Sequence, residues 1–112
     1  MNMTGKIVLV PFPFTDLTAS KLRPALVLYE GESDVMLAFI SSQIPPKSSV
    51  TDVVIAASSS GFATSGLRVD SVLKLDKIAT VLKDLVIGEL GELDDALKKE
   101  VKLKLKKMID LL

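Results

Sequence analysis

Polar side chains able to act on a phosphate stand at the ends of apolar runs in this sequence. Arg23 opens one apolar run, Ser41 directly follows another, and Lys74 and Asp76 lie at the end of a third. Strand ends that border loops present binding residues on a rigid base. The guanidinium of Arg23 is permanently charged, and its planar fork matches phosphate oxygens. These residue types favour a phosphate-binding site, although polar residues at strand ends are also ordinary surface features.

Other kinds of chemistry are excluded by what the chain lacks. There is no histidine and no cysteine among its 112 residues, so an imidazole acid or base, a thiolate nucleophile and a zinc finger are all ruled out. No glycine-rich phosphate loop precedes a helix, and no metal-ligand spacing occurs. The acidic residues Glu30, Glu32 and Asp34 share one turn, where they favour solubility over catalysis. We therefore predict neither a metal nor a cofactor.

The composition is that of one globular domain, covering residues 1–112. Hydrophobic residues make up 48% of the chain, which allows a real core and argues against disorder. The net charge is zero, so the chain as a whole would not attract nucleic acid over long range, although local patches could. No signal-peptide layout or apolar run of membrane-spanning length occurs, and we predict a cytoplasmic protein without membrane contact.

The elements that must position these residues are mostly short strands. We predict strands at residues 7–10, 24–29, 35–40, 51–57, 71–75 and 78–82. Their apolar runs are continuous rather than alternating, which indicates burial on both faces or a curled sheet. Pro11 should end the first strand, and Phe12 and Phe14 should pack on the core. Residues 15–22 and 58–66 are predicted to be loops.

A helix is predicted near the end of the chain, over residues 93–111. Its apolar stripe comprises Leu93, Leu97, Val101, Leu105, Met108 and Leu112, at the three- and four-residue steps of an amphipathic helix. Asp94 and Asp95 stand where acidic residues favour a helix start. The lysines of this segment form a solvated face rather than a nucleic-acid surface, because no aromatic residues alternate with them. The predicted fold is thus mainly β, a small barrel with a C-terminal helix.

Several segments together resemble the MazF/PemK family of toxin endoribonucleases. They are residues 5–8, 12–16, 23–28, 38–44, 66–67, 70–72, 76–80 and 87–90, and the Arg23-Pro24 strand entry is the most specific of them. The resemblance implies an SH3-like barrel that forms a homodimer. It also implies metal-independent cleavage of single-stranded RNA, often mRNA, at short sequences, leaving 2′,3′-cyclic phosphate and 5′-hydroxyl ends. A cognate antitoxin would cover the RNA groove, and DNA would be bound only through that antitoxin.

The resemblance also implies roles for individual residues. Arg23 matches the essential arginine of the family, Ser41 its catalytic threonine, and Asp76 an acidic or amide residue at a later strand end. Serine keeps the hydroxyl of threonine but drops the methyl group that restricts its rotamer. Lys21, Gln43 and Lys74 are predicted to contact the substrate. The loop over residues 15–22 would close over it as a lid.

A non-catalytic binding module is the alternative function. A related toxin family on the same barrel poisons DNA gyrase, and a decayed toxin could keep only its antitoxin groove, so the fold by itself does not separate these functions. The Arg23-Pro24 entry and the hydroxyl of Ser41 favour the nuclease.

Overall fold

The computed structural model describes residues 2–12 and 21–112. The predictions made for Phe14 and for most of the lid, residues 15–20, lie outside these residues. The described elements are β1 (Lys6–Phe12), β2 (Lys21–Glu30), β3 (Asp34–Ser41), β4 (Asp52–Ile55), α1 (Phe62–Ser65), β5 (Ser71–Leu82), a 3₁₀ turn (Lys83–Leu85), β6 (Gly88–Glu92) and α2 (Asp95–Asp110). Neither helix of this described part is long and apolar enough to cross a membrane.

The strands form one antiparallel sheet in the order β4-β5-β3-β2-β1-β6. The sheet curls into a half-barrel, with β4 and β6 as its two edge strands and α2 as the long C-terminal helix. This confirms the predicted mainly β fold.

Hydrophobic cores lie on both faces of the curled sheet. Along β1, Ile7 points into the core that α2 covers, whereas Val8 and Val10 point into the second core. The second core is closed by Met3 and by Leu85 of the 3₁₀ turn. Successive strand residues face opposite ways, so two cores require apolar residues at every position. This is why the runs in the sequence are continuous.

Helix α2 is close to the predicted helix and is capped as its sequence indicates. The Asp94 carboxylate accepts a hydrogen bond from the backbone N–H of Leu97, at 2.9 Å, which satisfies an otherwise free donor of the first turn. Leu97 and Val101 are buried on the first core. Leu112, predicted to belong to the apolar stripe, lies beyond the helix and is fully exposed.

The first and second strands are longer than predicted, because prolines are tolerated where the sheet thins to two strands. β6 pairs with β1 only as far as Leu9, and β3 pairs with β2 only from Ala25 onward. Beyond these points, and within the described part of the chain, residues 10–12 pair with residues 21–23 alone. We call this extension the ribbon. Pro11 lies in the ribbon, where β1 has a described neighbouring strand on one side only, so a residue without a backbone N–H is tolerated there. The prediction that Pro11 ends β1 was wrong.

The ribbon corrects two further predictions. Lys21 and Leu22, assigned to a loop, are strand residues opposite Phe12 and Pro11. Phe12 does not pack in the core but is 40% exposed, because the ribbon carries it past the edge of both cores.

The fifth strand is a single element where two were predicted. Ala38 of β3 is opposite Ile78, yet the next residue, Phe39, is opposite Lys74. Residues 75–77 therefore form a bulge, in which the backbone N–H of Leu75 donates to the carbonyl of Thr51 at 2.9 Å. A bulge bends a strand without ending it, which explains why polar residues interrupt the apolar pattern at this place.

Helix α1 and strand β6 were both missed by the sequence prediction, and they pack closely together. Gly66 caps α1 with a φ of 75°, a left-handed conformation that glycine adopts at little cost. A Cβ atom on Gly66 would overlap the carbonyl oxygen of Leu90, and one on Gly91 would overlap that of Thr64. The two glycines allow the backbones of α1 and β6 to approach this closely.

Replacing Gly66 should therefore destabilise the fold. We expect Gly66→Ala to lower the free energy of unfolding by about 2–3 kcal/mol, because the left-handed conformation and the overlap with Leu90 both oppose a side chain. Urea denaturation followed by circular dichroism measures this. Gly88→Ala is the matched control: its Cβ meets no atom within 4 Å, and it should change stability by less than about 0.5 kcal/mol. Equal losses in the two variants would contradict the packing argument.

Candidate active site

The register of the sheet brings Arg23 and Ser41 to the same place. Arg23 is opposite Val10, and Ala25 is opposite Phe39. The pairing of β2 with β3 ends at Ala25 and Phe39, and Arg23 and Ser41 each lie two residues beyond that pair on their own strands. Residues opposite each other in an antiparallel pair share a face of the sheet. Because every second residue of a strand faces the same way, Arg23 and Ser41 lie on the same face as Ala25 and Phe39, at the end of the second core.

An open cavity of about 250 Å³ forms at this end of the sheet. Its lining residues are Phe12, Arg23, Phe39, Ile40, Ser41, Ser42 and Gln43. Three of the predicted site residues, Arg23, Ser41 and Gln43, therefore share one cavity.

Aromatic rings form one wall of this cavity and orient the arginine. The guanidinium carbon of Arg23 lies 6.0 Å from the centre of the Phe12 ring, a cation–π distance. The Phe12 ring meets that of Phe39 edge to face, with their centres 5.7 Å apart. In the described part of the chain, no carboxylate forms an ion pair with Arg23. Its charge is thus held against an aromatic face and open to an anion.

The hydroxyl of Ser41 is held by its own backbone segment. Its oxygen accepts a hydrogen bond from the N–H of Gln43, at 3.0 Å. That bond uses one acceptor position, and none of the described residues accepts the hydroxyl hydrogen. Since a hydroxyl donates one hydrogen bond, Ser41 can donate to an oxygen placed in the cavity.

Asp76 lies in a second cavity, of about 470 Å³, rather than beside Arg23. This cavity is lined by Phe12, Phe39, Asp76, Lys77 and Ile78. The two phenylalanines separate it from the first cavity and belong to both. No ion pair joins the Asp76 carboxylate to Arg23, so its role in orienting the arginine remains a prediction.

The two lysines predicted to contact substrate have different surroundings. Lys21 is exposed at the outer end of the ribbon, opposite Phe12, and is not among the residues that line the first cavity. The ammonium of Lys74 is instead 3.3 Å from the carboxylate of Asp52, which is only 2% exposed. The structure thus gives Lys74 a structural partner, and its contact with substrate remains a prediction.

Asp52 links its own strand, β4, to β5 and to α2. Burial acts to raise the pKa of its carboxyl, but the backbone N–H of Ser49 and the ammonium of Lys74 outweigh it and hold the pKa below the ordinary value. The ammonium of Lys104 on α2 donates to the backbone carbonyl of the same residue, at 2.6 Å. A buried carboxylate with fixed donors stabilises the fold only in its charged form.

The Lys74→Met substitution tests whether the charged form of Asp52 stabilises the fold. It leaves Asp52 buried with one partner fewer, so we expect the free energy of unfolding at pH 7 to fall by about 1–3 kcal/mol. Because the folded pKa of Asp52 is lowered, its stabilisation is present above the unfolded value, about 3.9, and is lost as the pH falls through the folded pKa. The deficit of the variant should therefore shrink below about pH 4.

Urea titrations at several pH values measure this difference. Lys102→Met, at an exposed position of α2, is the matched control and should stay within about 0.5 kcal/mol of the parent. A deficit for Lys74→Met that does not change with pH would contradict the assigned role of Asp52. RNA affinity measured on the same folded variant tests the predicted substrate contact.

A third cavity, of about 360 Å³, lies on the other side of Arg23. Its lining residues are Leu9, Arg23, Pro24, Ile40, Ser42, Gly66, Leu67, Arg68, Val69, Ser71 and Leu90. Arg23, Ile40 and Ser42 belong to this cavity and to the first. Neighbouring cavities thus share lining residues, and we call the three cavities together the cleft.

Arg68 was missed by the sequence reasoning. The composition could have pointed to it, because the chain has only two arginines, Arg23 and Arg68, and both line the cleft. The described residues contain no group of three or more carboxylates arranged to hold a metal ion.

One protein-family model matches nearly the whole chain. The model of the "PemK-like, MazF-like toxin of type II toxin-antitoxin system" family matches residues 3–109. No curated protein gives a significant sequence match.

Solved structures share the fold at low sequence identity. An endoribonuclease in complex with its cognate antitoxin, from a mycobacterial species, has a TM-score of 0.72 at 17% identity, over 98% of this chain and 96% of that one. The Mycobacterium tuberculosis toxin MazF-mt6 has a TM-score of 0.71 at 19% identity, over 94% and 96%. MazF from Deinococcus radiodurans has a TM-score of 0.69 at 21% identity, over 96% and 94%.

Proposed function

We propose that this chain, which belongs to the PemK-like and MazF-like toxin family of type II toxin–antitoxin systems, is an endoribonuclease that cleaves single-stranded RNA in the cleft. The observation that carries the proposal is the shared cavity of Arg23 and Ser41. A permanently charged guanidinium and a hydroxyl donor there face the same space. A phosphodiester has the matching chemistry, with two charged oxygens that accept hydrogen bonds.

The lining of the cleft suits a single strand better than a duplex. Phe12 offers an exposed ring beside Arg23, and an unpaired base can stack on such a ring. Gln43 and Ser42 add amide and hydroxyl groups to the same cavity, which can bond to base edges or sugars. Bases splayed from a single strand can reach these groups, whereas stacked bases in an A-form helix cannot.

The proposed reaction uses the RNA's own 2′-hydroxyl as the nucleophile. The 2′-oxygen loses its proton to a carboxylate base and bonds to the adjacent phosphorus, the bond from phosphorus to the 5′-oxygen breaks, and that oxygen takes up a proton from solvent water. The products are a 2′,3′-cyclic phosphate and a 5′-hydroxyl. The chemistry requires no metal or cofactor, in agreement with the family resemblance.

Each site residue has a role in this scheme. Arg23 neutralises the charge that builds on the non-bridging oxygens in the transition state, and Ser41 donates a hydrogen bond to one of them. Arg23 is not the base, since its guanidinium stays protonated. Asp76 is the one carboxylate among the described residues that line the cleft, and we assign it the proton of the 2′-hydroxyl. Lys21, Gln43 and Lys74 are the proposed substrate contacts.

The proposal extends to the partners of the chain. One structural neighbour is described in complex with its cognate antitoxin, and we propose that an antitoxin likewise covers this cleft and supplies any contact with DNA. We also propose a homodimer. Support comes from apolar side chains exposed on the sheet, such as Tyr29 and Leu82, at 63% and 58%.

Cleavage of RNA in EDTA tests the function directly. The purified chain should cut a mixed single-stranded RNA without added metal and leave cyclic phosphate ends. Arg23→Ala should cut about 10²–10³ times more slowly, since it removes a donor aimed at the transition state. Lys102→Ala, at an exposed position of α2 that does not line the cleft, is the matched loss of a positive charge and should cut at the parent rate. Intact RNA with the parent chain would support the binding module instead.

Ser41 allows a finer test of the same site. Ser41→Ala removes the donor and should slow cleavage by about 10²-fold, whereas Ser41→Thr keeps the hydroxyl and should retain most of the rate. Initial rates on one fluorescent RNA substrate measure both variants, and circular dichroism checks that each is folded. Equal rates for the parent and Ser41→Ala would remove Ser41 from the mechanism.

A further inference from the structure

We propose that Arg68 binds a second phosphate of the same RNA strand, next to the phosphate held at Arg23. The inference deepens the proposed function and rests on it. It makes the third cavity a binding subsite that places the strand but takes no part in bond breaking.

The position of Arg68 in the cleft is the first argument. It lines the third cavity together with Arg23, on the side away from Asp76. The remaining lining is mostly apolar, with Leu9, Pro24, Leu67, Val69 and Leu90. An apolar floor between two guanidinium groups suits a sugar or base whose flanking phosphates each meet a cation.

The charge of Arg68 is uncommitted, which is the second argument. Six lysines form ion pairs with carboxylates: Lys6, Lys74, Lys83, Lys98, Lys104 and Lys106. Across residues 2–12 and 21–112, neither arginine has such a partner. The carboxylate nearest to Arg68 in sequence, that of Asp70, accepts the backbone N–H of Ala57 at 2.6 Å. The two arginines therefore keep their charge for a ligand.

The backbone beneath Arg68 is fixed on both sides, which is the third argument. On one side, Gly66 packs against β6, and the N–H of Leu67 donates to the hydroxyl of Ser65 at 3.1 Å. On the other side, the hydroxyl of Ser71 donates to the carbonyl of Val69 at 2.9 Å. A held backbone lowers the entropy lost when a side chain binds. The backbone of Arg68 is thus held beside the third cavity, which Arg23 also lines.

An acidic peptide segment is the competing ligand for the same two cations. The observations favour RNA, because Arg23 lies in the cavity with Ser41, where the proposed reaction takes place, and the third cavity continues from it. A bound peptide is not cleaved, so its carboxylates would not need to lie next to the cavity of Arg23 and Ser41.

Salt-dependent binding of uncleavable RNA tests the inference. The probes are a 2′-O-methyl hexanucleotide and a 2′-O-methyl dinucleotide with a single phosphate, titrated by calorimetry and by NMR respectively. Arg68→Gln should bind the hexanucleotide about tenfold more weakly at low salt. The slope of log affinity against log salt should fall by about 0.7, the value for one lost phosphate contact on a single strand. Binding of the dinucleotide should not change.

Two further variants complete the design. Arg68→Lys keeps the charge and should restore the salt slope. Lys102→Gln removes an exposed lysine outside the cleft and should behave as the parent does. Thermal unfolding of each variant checks that the fold is retained.

The failures of the two proposals are distinguishable. A parent chain that neither binds the hexanucleotide nor cleaves RNA would overturn the proposed function and this inference with it. If the parent binds but Arg68→Gln has an unchanged slope, this inference alone is overturned. The inference is also overturned if Arg68→Gln weakens binding of the dinucleotide as much as binding of the hexanucleotide. It is likewise overturned if the substitution lowers only the affinity for an oligoglutamate peptide.

Discussion

The pairing of β1 with β2 beyond the rest of the sheet is the constraint on which the site depends. Within the sheet both strands have neighbours on each side, but in the ribbon they have only each other among the residues that the structure describes. Arg23 is the last ribbon residue before the sheet begins, so its backbone has the precision of a strand and its side chain reaches solvent. The Phe12 ring, carried by the other ribbon strand, then sets where the guanidinium lies.

The second constraint is that the curled sheet has a core on each face. A strand with one buried face can place polar residues at every second position, whereas these strands cannot. Polar side chains are therefore concentrated at strand ends and at irregularities of the sheet. Ser41 stands at the end of β3, and Asp76 and Lys77 occupy the bulge of β5. The cleft is lined by several of these polar residues, beside an interior that is mostly apolar.

Charge is distributed unevenly on a chain whose net charge is zero. Six of the twelve lysines form ion pairs with carboxylates, whereas neither arginine does so within residues 2–12 and 21–112, and both arginines line the cleft. A neutral protein can thus present a local cationic groove, and net charge alone is a poor guide to whether a small domain binds an anion. The presence of both arginines in the cleft agrees with their chemistry, because guanidinium groups match phosphate geometry better than ammonium groups do.

Local patterns of the sequence determined the mainly β fold, helix α2 and the choice of Arg23, since apolar runs, a capping aspartate and a strand-entry arginine are all short-range signals. What only the tertiary structure decided depends on neighbours distant in the chain. Pro11 reads locally as a strand end, yet it is tolerated because β6 has already left β1. Asp76 and Lys77 read as a break between strands, yet β3 and Thr51 hold them in a bulge. Helix α1 and β6 carry almost no local signal, because they form where Gly66 and Gly91 let two backbones meet. Arg68 reaches the cleft for the same reason: contact across the fold, rather than any spacing along the sequence, puts the second arginine beside the first.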